Sequence, residues 1–202
     1  MKILIVKLSS LGDVVHTLPL VSDILKHHSG AVIDWVVEEQ FSDIPAMHQG
    51  VSTVISVAMR RWRKNCFSSG SWIELWRFLK ILRTKKYDLI IDGQGLIKSA
   101  LIASIARGPA GGLGFDSSRE LMSSFFYKIR VEIKGEFHAI VRLRILGAKL
   151  LGYSFSSAID FGLVHCHKMK TKSVMFFHGT TWPSKFLPEK TWIRLSELAI
   201  RD

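Results

Sequence analysis

A chain of 202 residues, 48% of them hydrophobic, is long enough to bury a sizeable core and too apolar to be intrinsically disordered. Its 28 lysines and arginines against 17 acids leave a net charge of +11, a bias towards anionic partners that does not choose among nucleic acid, phosphorylated substrate and acidic membrane. Two distant cysteines, Cys66 and Cys166, and an N-terminal apolar run too short for a signal peptide or a membrane span predict a reducing, cytoplasmic setting.

Residues 2–7, KILIVK, open the chain as a strand. Ile3, Leu4, Ile5 and Val6 are consecutive apolar side chains, the pattern of a strand covered on both faces. Lys7 closes it, and Ser9, Ser10 and Gly12 form a short turn ending on Asp13, ahead of the apolar-periodic VVHTLPLVSDIL. This puts a carboxylate at the C-terminal end of a parallel strand, where open α/β sheets bind ligands. An Asp just before a helix is also a common N-cap, worth about 1 kcal/mol, and position alone leaves both readings open.

Further strand-like runs at residues 33–37, 53–57, 87–92 and, more weakly, 129–133 alternate with helical periodicity. The alternation predicts a mostly parallel sheet with crossover helices on both faces, a Rossmann-like α/β domain. Directly after the third run stands MRRWRK, in which Arg60, Arg61, Arg63 and Lys64 surround Trp62. In the predicted crevice such a cluster suits carboxylates or phosphates, the alternative being a solvated surface loop. An aromatic among cations also suits single-stranded nucleic acid, but no recognition-module signature accompanies it.

The next helix, WIELWRFLKILRTKK, mixes aromatic and basic residues in a surface-seeking pattern, while Ile73, Trp76, Leu79, Ile81 and Leu82 are predicted to form a stripe packed on the sheet. Gly93-Gln94-Gly95 in DLIIDGQGLIKSA marks a tight strand-to-helix turn and lacks the third glycine of a dinucleotide fingerprint, Lys98 standing in its place. The glycines of GPAGGLGF precede and occupy a short strand, so they read as structural.

A helix predicted over residues 135–151 is followed by loss of periodicity, which divides the chain into a Rossmann-like domain at 1–152, a linker at 153–172 and the start of a second Rossmann-like domain at 173–202. That last segment reads as a strand at 173–177, a Gly/Thr loop and a helix from near Pro188. One strand and one helix cannot bury a sheet, so the expectation is a second domain cut short. Thr180, Thr181 and Lys185 in HGTTWPSK could hydrogen-bond and neutralise a diphosphate, or could belong to an ordinary polar loop. His165, Cys166 and His167 are too close in sequence to converge on one ion, and no metal site is expected.

The ordered set ILIVKLSSLGDVVHTLP, IDWVVEEQF, AMRRWRK, DLIIDGQGLIKSA, SSRE, LLGYS and HGTTWPSKFLPEKTW resembles the lipopolysaccharide heptosyltransferase I family, within glycosyltransferase family 9 and the two-domain GT-B fold. The resemblance runs across essentially the whole chain. It implies transfer of L-glycero-D-manno-heptose from ADP-heptose to the Kdo of Kdo-lipid A with inversion, at the cytoplasmic face of the inner membrane, without a metal or other cofactor. It also implies that Asp13 is the general base, that Arg60, Arg61, Arg63, Lys64 and Arg119 engage the acidic acceptor, and that Ser10 and Gly12 shape the site. Thr180, Thr181 and Lys185 match the family's donor-phosphate contacts. Family members continue for another stretch carrying most of the ADP-heptose pocket, so a non-catalytic acceptor-binding remnant is the competing expectation. A nucleic-acid-binding α/β domain is the weaker one.

Overall fold

The computed structural model describes residues 1–66, 68–163, 174–176, 179, 184 and 186–201. The chain divides into two compact units, Met1–Val164 and His165–Asp202.

The first unit is a doubly wound sheet. Its strands are β1 (Lys2–Val6), β2 (Val32–Glu38), β3 (Val51–Val57), β4 (Leu89–Asp92), β5 (Ala110–Leu113) and β6 (Ile129–Val131). They lie in the order β3-β2-β1-β4-β5-β6, and every pairing is parallel. β1 is central, with Ile3 beside both Ile33 and Leu89. Its four apolar residues are wholly buried, as consecutive hydrophobics require in a strand covered on two faces. The strand order reverses between β1 and β4, so the loops after those two strands diverge and open a crevice.

One face carries α1 (Leu11–Val15), α2 (Leu18–His27) and α7 (Ala139–Leu151), whose Val14, Leu18, Val21, Ile24 and Leu146 pack with Ile3, Ile5, Ile33 and Trp35. The opposite face carries α5 (Ser69–Leu82) and α6 (Ile97–Ile105), packed on Leu4, Val6, Val36 and Ile90. Two short α-helices, α3 (Asp43–Ala46) and α4 (Met59–Lys64), and two 3-10 helices at Glu39–Phe41 and Leu121–Phe126 complete the unit. α7 starts four residues later than its periodicity suggests, because His138 caps it by accepting a hydrogen bond from the Ile140 amide, and it ends at Gly152 in the left-handed region.

α5 departs from expectation. Its inward stripe is Ser71, Leu75, Phe78, Leu79 and Leu82, whereas Ile73, Trp76 and Ile81, expected in the core, are exposed. At 100° per residue the helix carries two apolar stripes, and periodicity alone does not say which one meets the sheet.

Residues 153–163 follow α7 as irregular chain. The buried Arg144 guanidinium donates to the Ser156 and Ala158 carbonyls, and the Gln49 amide donates to the Gly162 carbonyl. In the second unit α8 (Glu189–Arg201) begins after Pro188, whose carbonyl accepts from the Thr191 and Trp192 amides. Val174, Met175 and Phe176 form no strand. A strand needs a ladder partner, and none is present among the described residues of that unit.

Candidate functional site

The crevice is assembled by the ends of β1 and β4. Lys7, immediately after β1, is buried and donates from Nζ to the Gly93 carbonyl at 2.8 Å. Burial pushes its pKa down, against the pull of Asp13 and Asp92. Gln94 ties the two loops together, its Oε1 accepting from the Leu8 and Ser9 amides at 3.1 and 3.3 Å. Beneath it the fully buried Asp92 accepts from the Gln94 and Gly95 amides and, at 2.8 Å, from the Tyr127 hydroxyl. Gly95 sits at φ +67°, which favours a residue without a Cβ. The Gly-Gln-Gly turn is thus a brace for the β1 loop.

Asp13 stands on that braced loop. Ser10 occupies the N-cap of α1, so Asp13 is the third helical residue rather than the cap considered from sequence. Its Oδ2 accepts from the Ser10 backbone amide at 3.0 Å and the Ser10 hydroxyl at 3.1 Å. Partial burial pushes the carboxyl up, but the Ser10 bonds together with the charges of Lys7 and Arg119 hold it below its ordinary value. Asp13 is therefore ionised at neutral pH. Gly12 leaves the space beside it open, since a Cβ there would meet nothing within 4 Å.

The basic cluster folds as α4 at the end of β3 and lines a cavity of about 1140 Å³ together with Ser9, Glu38, Glu39 and Lys98. Its charges are partly answered. The Arg60 amide donates to Glu38 Oε1 at 2.9 Å, and the Arg60 guanidinium lies 5.8 Å from the Phe41 ring centre. Arg61 is clasped by Glu39 (3.1 and 3.0 Å) and Glu74 (3.0 and 2.7 Å), which raises its pKa further. Trp62 Nε1 donates to Glu74 Oε2 at 2.8 Å, and its ring packs on Phe78. Arg63 and Lys64 are exposed.

The structure thus brings Arg60, Arg61, Arg63 and Lys64 to one cavity with Ser9 of the β1 loop. Arg119 lines a second cavity, of about 380 Å³, with Lys7, Gln94 and Arg142, and its charge acts on Asp13. Thr180, Thr181 and Lys185 lie outside the described residues, as do His165, Cys166 and His167. Among the described residues no group of three or more His, Cys, Asp or Glu is placed to hold a metal ion. Sequence reading missed Lys7, Gln94, Asp92 and the acidic partners Glu39 and Glu74. A Lys or Asp abutting an all-apolar strand was the available signal for Lys7 and Asp92, whereas nothing local pairs Arg61 with a carboxylate on another helix.

A doubly wound parallel sheet with an ionised carboxylate and flanking cations at its switch point defines an α/β protein with a charged crevice where such sheets bind ligands. Residues 75–202 match the family model for glycosyltransferase family 9 (heptosyltransferase), and the chain belongs to that family. It is 43% identical over 206 residues to lipopolysaccharide heptosyltransferase 1 of Pseudomonas aeruginosa, covering 98% of this chain and 57% of that one. To the enzyme of the same name from Escherichia coli K12 it is 41% identical, covering 96% and 63%. The solved structure of the E. coli heptosyltransferase WaaC with ADP superposes with a TM-score of 0.94 at 40% identity, covering 98% of this chain and 64% of that one. WaaC with ADP-2-deoxy-2-fluoro heptose matches at 0.92. The six-stranded parallel sheet is that of a GT-B glycosyltransferase. The chain spans about three-fifths of the length of the curated relatives it matches.

Proposed function

We propose that this crevice is the acceptor side of a heptosyltransferase that moves L-glycero-D-manno-heptose from ADP-heptose to the Kdo of Kdo-lipid A, in the lipopolysaccharide inner core at the cytoplasmic face of the inner membrane. The observation that carries the reading is Asp13, an ionised carboxylate on a braced loop at the switch point, with Lys7 and Arg119 acting on it. The ADP-bearing relatives support the choice of donor.

In the proposed reaction Asp13 takes the proton of the attacking Kdo hydroxyl. The oxygen forms a bond to the anomeric carbon from the face opposite the nucleotide, the bond from that carbon to the β-phosphate oxygen breaks, and ADP leaves with the electron pair. The anomeric configuration inverts. Arg60, Arg63, Lys64 and Arg119 hold the acceptor's carboxylates and phosphates, Arg61 exchanging an acidic partner to join them. Ser10 positions Asp13, and Gly12 leaves room for the sugar. Thr180, Thr181 and Lys185 take the diphosphate, so that charge developing on the leaving group meets protein cations rather than a metal.

The test is heptosyl transfer from ADP-heptose to deacylated Kdo-lipid A by the purified chain, beside Asp13→Asn and titrations of acceptor binding. Transfer lost in Asp13→Asn with acceptor binding kept supports the reading. Acceptor binding without transfer by the parent chain would leave an acceptor-binding fragment, and no binding of either substrate would overturn the proposal.

A further inference from the structure

α5 carries a second apolar face that the fold does not use. Trp72 and Trp76 are each 62% exposed and Ile73 51%, and Trp76 stands one turn on from the adjacent pair Trp72 and Ile73, on the side facing away from the sheet. The inward face is already filled by Leu75, Phe78, Leu79 and Leu82. Large aromatics on an outer helix face lose the free energy of hydration avoidance unless something covers them.

The charges around this face point to what covers it. Glu74 is the only carboxylate on α5, and it is turned under the helix to Arg61 and Trp62. The outer face carries Arg77 and Lys80, the Lys80 ammonium lying 5.3 Å from the Trp76 ring centre, while Arg83 at the C-cap donates to the Ile105 carbonyl. The whole chain carries +11. A second copy of the same face would bring these cations against each other. An anionic surface would pair them while taking up the indoles, whose apolar rings and polar N–H suit the boundary between headgroups and acyl chains.

We propose that the outer face of α5 is a docking surface for bilayers rich in anionic phospholipid, with Trp72, Ile73 and Trp76 entering the headgroup boundary and Arg77 and Lys80 pairing with lipid phosphates. This deepens the reading of a membrane-borne acceptor by naming the surface that meets the membrane. It does not depend on transfer chemistry. α4 precedes α5 directly, so the same docking holds the basic cavity beside the lipid surface.

The experiment uses the full chain and vesicles of phosphatidylethanolamine with phosphatidylglycerol, against vesicles of phosphatidylcholine alone, with neither donor nor Kdo present. Its failure is therefore distinguishable from failure of the transfer reading. Co-sedimentation is expected with the anionic vesicles only, weakening as salt rises. Brominated acyl chains are expected to quench tryptophan emission, and the quenchable fraction to fall in Trp72→Ser/Trp76→Ser. That variant should bind at least tenfold more weakly while keeping its circular dichroism and melting temperature. Lys80→Glu, which leaves both indoles in place, should weaken binding by roughly fivefold or more, the worth of one basic residue near an anionic surface. Undiminished binding by the double variant, or unquenched Trp72 and Trp76, would place the contact elsewhere, on α8 or under another protein segment, and overturn the proposal.

Discussion

Asp13 accepts two hydrogen bonds from Ser10, and both fall on Oδ2. One carboxylate oxygen is committed to the start of α1, which under the proposed mechanism leaves Oδ1 as the oxygen that takes the substrate proton. Asp13→Asn should lower transfer by about a hundredfold or more, the usual worth of a general base, with little change in melting temperature. Ser10→Ala removes one of the bonds that hold the Asp13 pKa down, so the acid limb of the rate profile should move to higher pH. An unmoved limb would exclude Asp13 as the titrating group. Because the folded pKa is lowered, the stability Asp13 contributes is present above the unfolded value of about 3.9 and is lost as pH falls through the folded value.

Arg61 differs from its neighbours in being held by two carboxylates. Acceptor must displace Glu39 or Glu74 to use it, so Arg63→Ala and Lys64→Ala should weaken acceptor binding more than Arg61→Ala. Glu74→Gln should tighten binding of an acidic sugar phosphate by removing a competing charge. It should also speed hydrogen exchange at residues 60–65, since Trp62 and Arg61 both lose an ionised partner. Calorimetric titration and exchange mass spectrometry read the two effects separately.

The brace under the crevice depends on a buried carboxyl. Burial pushes Asp92 up, and hydrogen bonds from Gln94 and Tyr127 pull against it. Tyr127→Phe should cost about 1–3 kcal/mol, because it leaves a buried Asp92 oxygen without its donor. Gly112→Ala should act through the same pair, because a Cβ there would sit 2.5 Å from the Tyr127 ring. Denaturant melts check both.

On the other face, Arg144 is almost fully buried and pairs with Asp23 at 2.6 and 3.0 Å while holding residues 156 and 158 by their carbonyls. Arg144→Ala should cost about 3–5 kcal/mol by leaving Asp23 unpaired. Arg144→Met with Asp23→Asn should recover part of that loss. Equal destabilisation by the single and double variants in urea melts would show that the carbonyl contacts, not the charge pair, dominate.

His48 accepts the Gly50 amide on Nδ1 at 2.9 Å and meets Ser22 Oγ at 3.0 Å through Nε2, so the neutral ring is the one that fits. Burial lowers its pKa against the pull of Asp160. A lowered histidine costs stability as pH falls below about 6.5 towards the folded value, because the unfolded chain then binds the extra proton. His48→Gln should flatten that part of the stability curve, as measured by unfolding midpoints between neutral and mildly acidic pH.

The parallel α/β architecture was legible because it is written in local periodicity: four apolar residues in β1, alternating helical stripes, and turns rich in Gly and Ser. Asp13 and the α4 cluster were legible as candidates because each lies in the segment that follows a strand, at the C-terminal edge where such sheets bind ligands. What stayed hidden depends on groups far apart in sequence. Lys7 reaches Gly93 across 86 residues, Gln94 holds Ser9 across 85, and Arg61 reaches Glu74 on another helix. α5 makes the same point most plainly, since its two apolar stripes are equal in sequence and only packing against β3 decided that Phe78 goes inward while Trp72 and Trp76 face out. Chain order and hydrophobic period determine which elements form. Which face of an element is buried, and which charges find partners, is decided by the neighbours that the tertiary fold supplies.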